Sequence, residues 1–133
     1  MANENLMREL ATWLASKTAL VVDTELFADH MPPEMQDNAA VLLDRGGVPQ
    51  GGAGSGRIGA HALQVLVRNA SHHEAKRISY LIYKYLHKEA QGIDLGENFL
   101  FNAEAVTDPQ FMGYDSRGRD EFSTNYTLYE ASS

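Results

Sequence analysis

Residues Gly54-Ser55-Gly56-Arg57-Ile58-Gly59 spell G-x-G-x-x-G, the spacing that lets a backbone approach a dinucleotide pyrophosphate. That chemistry needs a helix opening directly after the glycines, so that free N–H groups and the helix dipole face the phosphates. Here "AHALQVLVRNA" follows, and Leu63, Val65 and Val67 alternate with Gln64, Leu66 and Arg68, the two-residue period of a strand. The glycines therefore join strand to strand. No Lys-Ser or Lys-Thr pair follows them, which removes the P-loop. The region about twenty residues on, where a ribose-binding carboxylate belongs, is "ISYLIYKYL", the middle of a helix.

His61, His72, His73 and His87 invite a metal reading, with Glu74 beside two of them. Adjacent residues at a helix start diverge by about 100°, whereas helical metal pairs stand at i and i+4 so that both face one ion. Position i+4 from His73 is Arg77. Ser55, Ser71, Ser79 and Ser123 lack a strand-turn-helix elbow, and the carboxylates fall on wet faces and turns. We therefore expect no catalytic residue, no cofactor and no metal, and a protein that is not an enzyme. What remains is a set of contact features: the glycine loop with Gly51, Gly54, Gly56 and Arg57, the tyrosines Tyr80 and Tyr83, and the arginines Arg117 and Arg119.

Those features need a scaffold, and 133 residues with 44% hydrophobic content suffice for one domain spanning 1–133. The absence of cysteine excludes disulfides and thiolate chemistry. No basic region precedes the first apolar residues and no run approaches a membrane span, so the chain reads as soluble, uncleaved and without a membrane partner. A net charge of −7 opposes binding to a polyanion through phosphate contacts, so sequence-specific nucleic-acid binding is not expected.

Leu6, Leu10, Trp13 and Leu14 recur at helical spacing, predicting a helix from Asn3 to about Ser16. Short strands are expected around Leu26–His30 and Ala39–Leu43. Seven of the eleven glycines lie between Gly46 and Gly59, giving a long flexible hairpin connection at 46–59. Ordering such a segment costs roughly 1–2 kcal/mol per residue, so it should settle only against a partner.

Ser71-His72-His73-Glu74 forms a capping box, and the helix it opens carries Ala75, Ile78, Leu81, Ile82, Tyr85 and Leu86 on its apolar stripe before Gly92. In "ENFLFNAEAV", Phe99, Phe101, Ala103 and Ala105 should face one way. Phe122, Thr124, Tyr126 and Leu128 do so in a later strand, within a Gln110–Tyr129 hairpin that turns at Gly118 and holds Arg117 and Arg119 at its tip. Pro109 marks an edge or a bulge. The result is an α+β fold, an antiparallel-rich sheet packed by two helices in the order helix-strands-helix-strands.

"LFADHMPPEMQDNAAVLLDRGG", "LQVLVRNASHHEAKRISYLIYKYLHK" and "GRDEFSTNYTLY" together resemble the minor capsid and tail terminator (tail completion) proteins of long-tailed bacteriophages, over roughly residues 26 to 129. The resemblance implies a structural virion protein at the head–tail junction. It implies a homo-oligomeric ring, usually a hexamer, stacked on the tail tube protein and bound by a head-completion or connector protein, with DNA passing through the lumen. It also implies localisation to the virion, after assembly in the host cytoplasm. A head-side stopper or adaptor is the alternative in the same class. A small nucleotide-binding protein using 54–59, or an acidic mimic of DNA, would be alternatives from other classes. The long glycine insertion departs from the family pattern.

Overall fold

The computed structural model describes residues 5–33, 36–49 and 58–132. The first helix, α1 (Leu6–Thr18), buries Leu6, Met7, Leu10, Ala11 and Leu14, the expected stripe. It runs past Ser16 and stops at Ala19, whose φ of 66° is left-handed and whose N–H reaches Ala15 O. Trp13 is half-buried against the core, with Lys17 Nζ 5.9 Å from its ring centre.

Strand β1 (Leu26–Ala28) ends where Asp29 takes a φ of 66°, so it is shorter than the expected Leu26–His30. It pairs in parallel with β2 (Ala39–Pro49), which pairs antiparallel with β3 (Ile58–Asn69). Strand β2 runs well beyond Leu43, crossing a bulge between Asp44 and Gly47 where Gly46 has a φ of 103°. Gly47, Val48 and Pro49 pair with His61, Ala60 and Gly59, so both ends of the expected 46–59 connection belong to strands.

Helix α2 (His72–Lys84) gives way to a π-helical turn at Tyr85–Glu89, not the single helix expected up to Gly92, which lies instead in β4 (Gln91–Asp94). Then come β5 (Asn98–Ala105), β6 (Gln110–Tyr114) and β7 (Asp120–Ser132). The sheet order is β1-β2-β3-β7-β5-β4, with β6 also paired to β7. All pairings but β1–β2 are antiparallel, as the α+β reading requires.

The long central strands keep their phase. Leu63, Val65 and Val67 of β3 lie opposite Tyr126, Thr124 and Phe122 of β7, and all six are buried. Both helices cover this face, forming one core with Leu42, Ile82, Leu86, Leu100 and Leu128. Strand β5 departs from its predicted alternation. A bulge between Leu100 and Asn102 slips the register by one, so Leu100 and Ala103 point inward and Phe101 is exposed.

A polar staple fastens α1 to the β4–β5 turn. The Glu9 carboxylate accepts the N–H groups of Glu97 and Asn98 and the Asn98 side-chain amide. Gly96 sits there with a φ of +127°, and a side chain at that position would meet Glu9 Oε2 at 2.6 Å. Among the described residues, no helix is long and apolar enough to cross a membrane.

Candidate assembly interface

Helix α2 presents the tyrosines. Ser71 Oγ accepts Glu74 N–H at 3.3 Å, the first arm of the capping box. The second arm is diverted, because the Glu74 carboxylate takes Arg77 Nε at 2.7 Å and Nη2 at 3.1 Å. Ala75, Ser79 and Ile82 turn inward, leaving Tyr80 41% exposed. Tyr83 meets Tyr80 edge to face at 5.9 Å, stacks on His87 at 5.0 Å, and donates its hydroxyl proton to Asp108 at 2.9 Å. That hydrogen bond, with some burial, pushes the Tyr83 phenol above its ordinary range.

Strand β6 lies beside the start of α2. His72 packs on Phe111 and Phe122 at 5.0 and 5.3 Å, and its Nδ1 lies 2.6 Å from Asp120 Oδ2. Pro109 precedes this strand, which among the described residues pairs with β7 on one edge and with no strand on the other. A bulge between Phe111 and Gly113 breaks the alternation, and Phe111, Met112 and Tyr114 are 49%, 61% and 75% exposed. With Val106 and Tyr80 these residues bring apolar surface to β6, the 106–109 loop and α2. Contacts across 72–111 and 83–108 hold those three elements together. Exposed aromatic and methionine side chains beside an open strand edge suit protein association.

The two arginines of the hairpin tip part company. Arg117 is exposed, as its place in the turn requires. Arg119 is 2% exposed, so within the folded subunit it is not a tip contact. Its guanidinium engages Asp115 Oδ2 at 2.7–2.8 Å and donates to Gln36 O at 3.0 Å, while Arg68 Nη2 donates to Pro33 O and to the same Gln36 carbonyl. Asp115 Oδ1 also accepts the N–H groups of Arg117 and Arg119. These bonds, led by the Arg119 side chain, lower the Asp115 carboxyl to about 2. The hairpin turn and the loop before β2 are thus tied together from inside.

Gly51, Gly54, Gly56 and Arg57 lie outside the described residues. At the root of that stretch, the His61 ring lies over Gly47, its cross-strand partner. His61 Nδ1 is 3.4 Å from Asp44 Oδ1 and Nε2 is 3.5 Å from Glu130 Oε1. Glu130 is 2% exposed, and burial pushes its carboxyl up while His61 draws it down and Asp44 raises it again. The residues after Gly59 continue as β3, so no helix N-terminus stands there to receive a pyrophosphate.

Residues 13–129 match the model of a family described as bacteriophage tail terminator protein. The chain belongs to the bacteriophage tail terminator family. It is a structural, tail-related virion protein. No curated protein matches it. Among solved structures, its fold is similar to a chain from the virion of a native gene transfer agent (GTA) particle. The two are 14% identical, with a TM-score of 0.60 over 92% of this chain and 93% of that one.

Within this tail terminator, Tyr80 and Arg117, singled out from the sequence, are exposed and Tyr83 is half-buried, whereas the exposed β6 residues were not singled out. "QFMGY" carries its warning in three large apolar residues next to a glycine. The Asp44–His61–Glu130 cluster had no local signal, because its members are brought together only by strand register.

Proposed function

We propose that copies of this chain close into a ring, with six subunits, that caps the tail tube and meets the head-side connector. The family match over residues 13–129 carries this reading. The open edge of β6 and its exposed aromatic side chains support it, because ring closure covers an edge that would otherwise recruit further strands. The role is mechanical rather than catalytic: subunits fit one another and the tube, and DNA passes through the lumen without sequence-specific contact. The protein enters the virion after assembling in the host cytoplasm. Contact residues on this reading are Tyr80, Tyr83 and Arg117, together with Gly51, Gly54, Gly56 and Arg57.

Sedimentation of the purified chain, alone and with tail tubes, tests the proposal. A discrete ring, or co-sedimentation with tubes, is expected. A monomer that ignores both concentration and tubes would refute it.

A further inference from the structure

The charge of this chain is unevenly divided. Residues 72–89 hold four of the eleven basic residues but only two of the eighteen acidic ones, a net +2, leaving −9 on the remainder. The bases are not scattered within that segment. Lys76, Tyr80 and Lys84 follow one another at four-residue steps on the exposed side of α2, with Lys88 in the π-turn beyond. Of the four bases, Arg77 is answered by Glu74 within its own helix. Among the described residues, Lys76 and Lys88 form no ion pair, and Lys84 Nζ lies 5.3 Å from the Tyr85 ring centre. In the middle of this row stands Tyr80, braced by Tyr83, which is itself held by Asp108. An exposed aromatic with a fixed neighbour, flanked by lysines that form no ion pair among the described residues, has the composition of a protein contact.

We propose that the Lys76–Tyr80–Lys84 face of α2 docks on exposed carboxylates of a second copy of this chain. The inference rests on the ring-forming reading and names one half of its subunit contact. Charge complementarity selects the occupant. Outside residues 72–89 a neighbouring copy carries a net −9, with Glu25, Asp37, Asp94 and Glu104 among its exposed carboxylates. DNA meets the same cations but also the −9 of the remaining chain, which repels it. Basic helix against carboxylates elsewhere on the neighbour is a heterologous contact, using different patches on the two subunits, and contacts of that kind generate rings where the rotation between subunits closes. Tyr80 supplies buried area at the centre, and the lysines set orientation and encounter rate.

The test compares the full-length chain with K76E/K84E and with Y80A, by sedimentation velocity over a concentration series at low and high salt. Circular dichroism and Tm establish that each variant is folded. For the unaltered chain, the concentration of half-assembly should rise about tenfold or more from low to high salt. K76E/K84E should assemble poorly at every salt concentration, and Y80A poorly but with the salt dependence retained. Rings that form equally well from folded K76E/K84E would overturn the inference and leave the proposed function standing. An unaltered chain that stays monomeric at every concentration would overturn the inference, and one that also ignores tail tubes would overturn the proposed function as well. If the unaltered chain retards a short double-stranded DNA and K76E/K84E does not, the face binds nucleic acid and the inference fails.

Discussion

Replacing Gly47 with alanine puts the packing at the hairpin root under direct test. In an open strand position, Gly→Ala stabilises by about 0.4–1 kcal/mol, because alanine restricts the unfolded chain. Here the added methyl would lie 2.8, 2.8 and 2.9 Å from three atoms of the His61 ring. Ordinary carbon contacts are about 3.5–4.0 Å, so the ring must retreat by roughly 0.6 Å or more, or β2 must bend. The ring is held between two carboxylates, Asp44 at 3.4 Å and Glu130 at 3.5 Å, and Glu130 is buried. Moving it lengthens the 3.5 Å contact from His61 Nε2 to the buried Glu130 carboxyl. Overpacking of this kind costs about 1–3 kcal/mol, which for a domain of this size lowers Tm by about 3–10 °C. Differential scanning calorimetry of G47A, H61A and G47A/H61A measures it. With the ring removed, the methyl has nothing to strike, so the double variant should lose clearly less than the two single losses together. A G47A protein that melts at or above the wild-type temperature, or losses that simply add, would refute the reasoning.

Three further predictions concern charged groups. Arg119→Ala should destabilise the fold by about 2–4 kcal/mol in denaturant titration, since it removes a buried guanidinium bonded to Gln36 O and Asp115. The pH signature belongs to Asp115, whose folded pKa of about 2 lies below the ordinary 3.8. Its stabilisation is complete above the unfolded value and disappears as pH falls through about 2, so the stability gap between wild type and Asp115→Asn should close with acidification. Glu130 behaves oppositely. Burial raises it above 4.5, so wild-type stability falls as pH rises through the window from 4.5 to the raised value, and Glu130→Gln should flatten that part of the curve in titrations from pH 4 to 7. An unchanged slope in Glu130→Gln would remove that carboxyl from the account.

What could be read beforehand was whatever depended on local period. The stripe of α1, the alternation Leu63–Val65–Val67 and the matching run Phe122–Leu128 all survive, because each element buries one face against the same core. The hairpin turning at Gly118 survives too, since its φ of 77° suits glycine. What failed depended on insertion or on distant partners. One extra residue at Phe101 takes Phe99 and Phe101 off the face they were expected to share with Ala103, and no composition cue marks it. The π-turn at Tyr85–Glu89 likewise inserts into a stripe that reads as one continuous helix. The parallel β1–β2 pairing could not be inferred from two short apolar runs. Arg119 looked like a solvated tip residue because its partner Gln36 is 83 positions away in the chain. Arg117, two residues earlier in the same turn, is exposed as expected. Period reports which way a side chain faces, whereas the contacts that decide its role come from register.

The central claim is that this subunit caps a tail tube as a closed ring. Electron cryo-microscopy of purified tail tubes incubated with the chain tests it most directly. The account predicts a single additional ring of density at one end of each tube, absent when the protein is omitted. Tubes whose ends are unchanged at saturating protein, or decorated along their whole length, would contradict it.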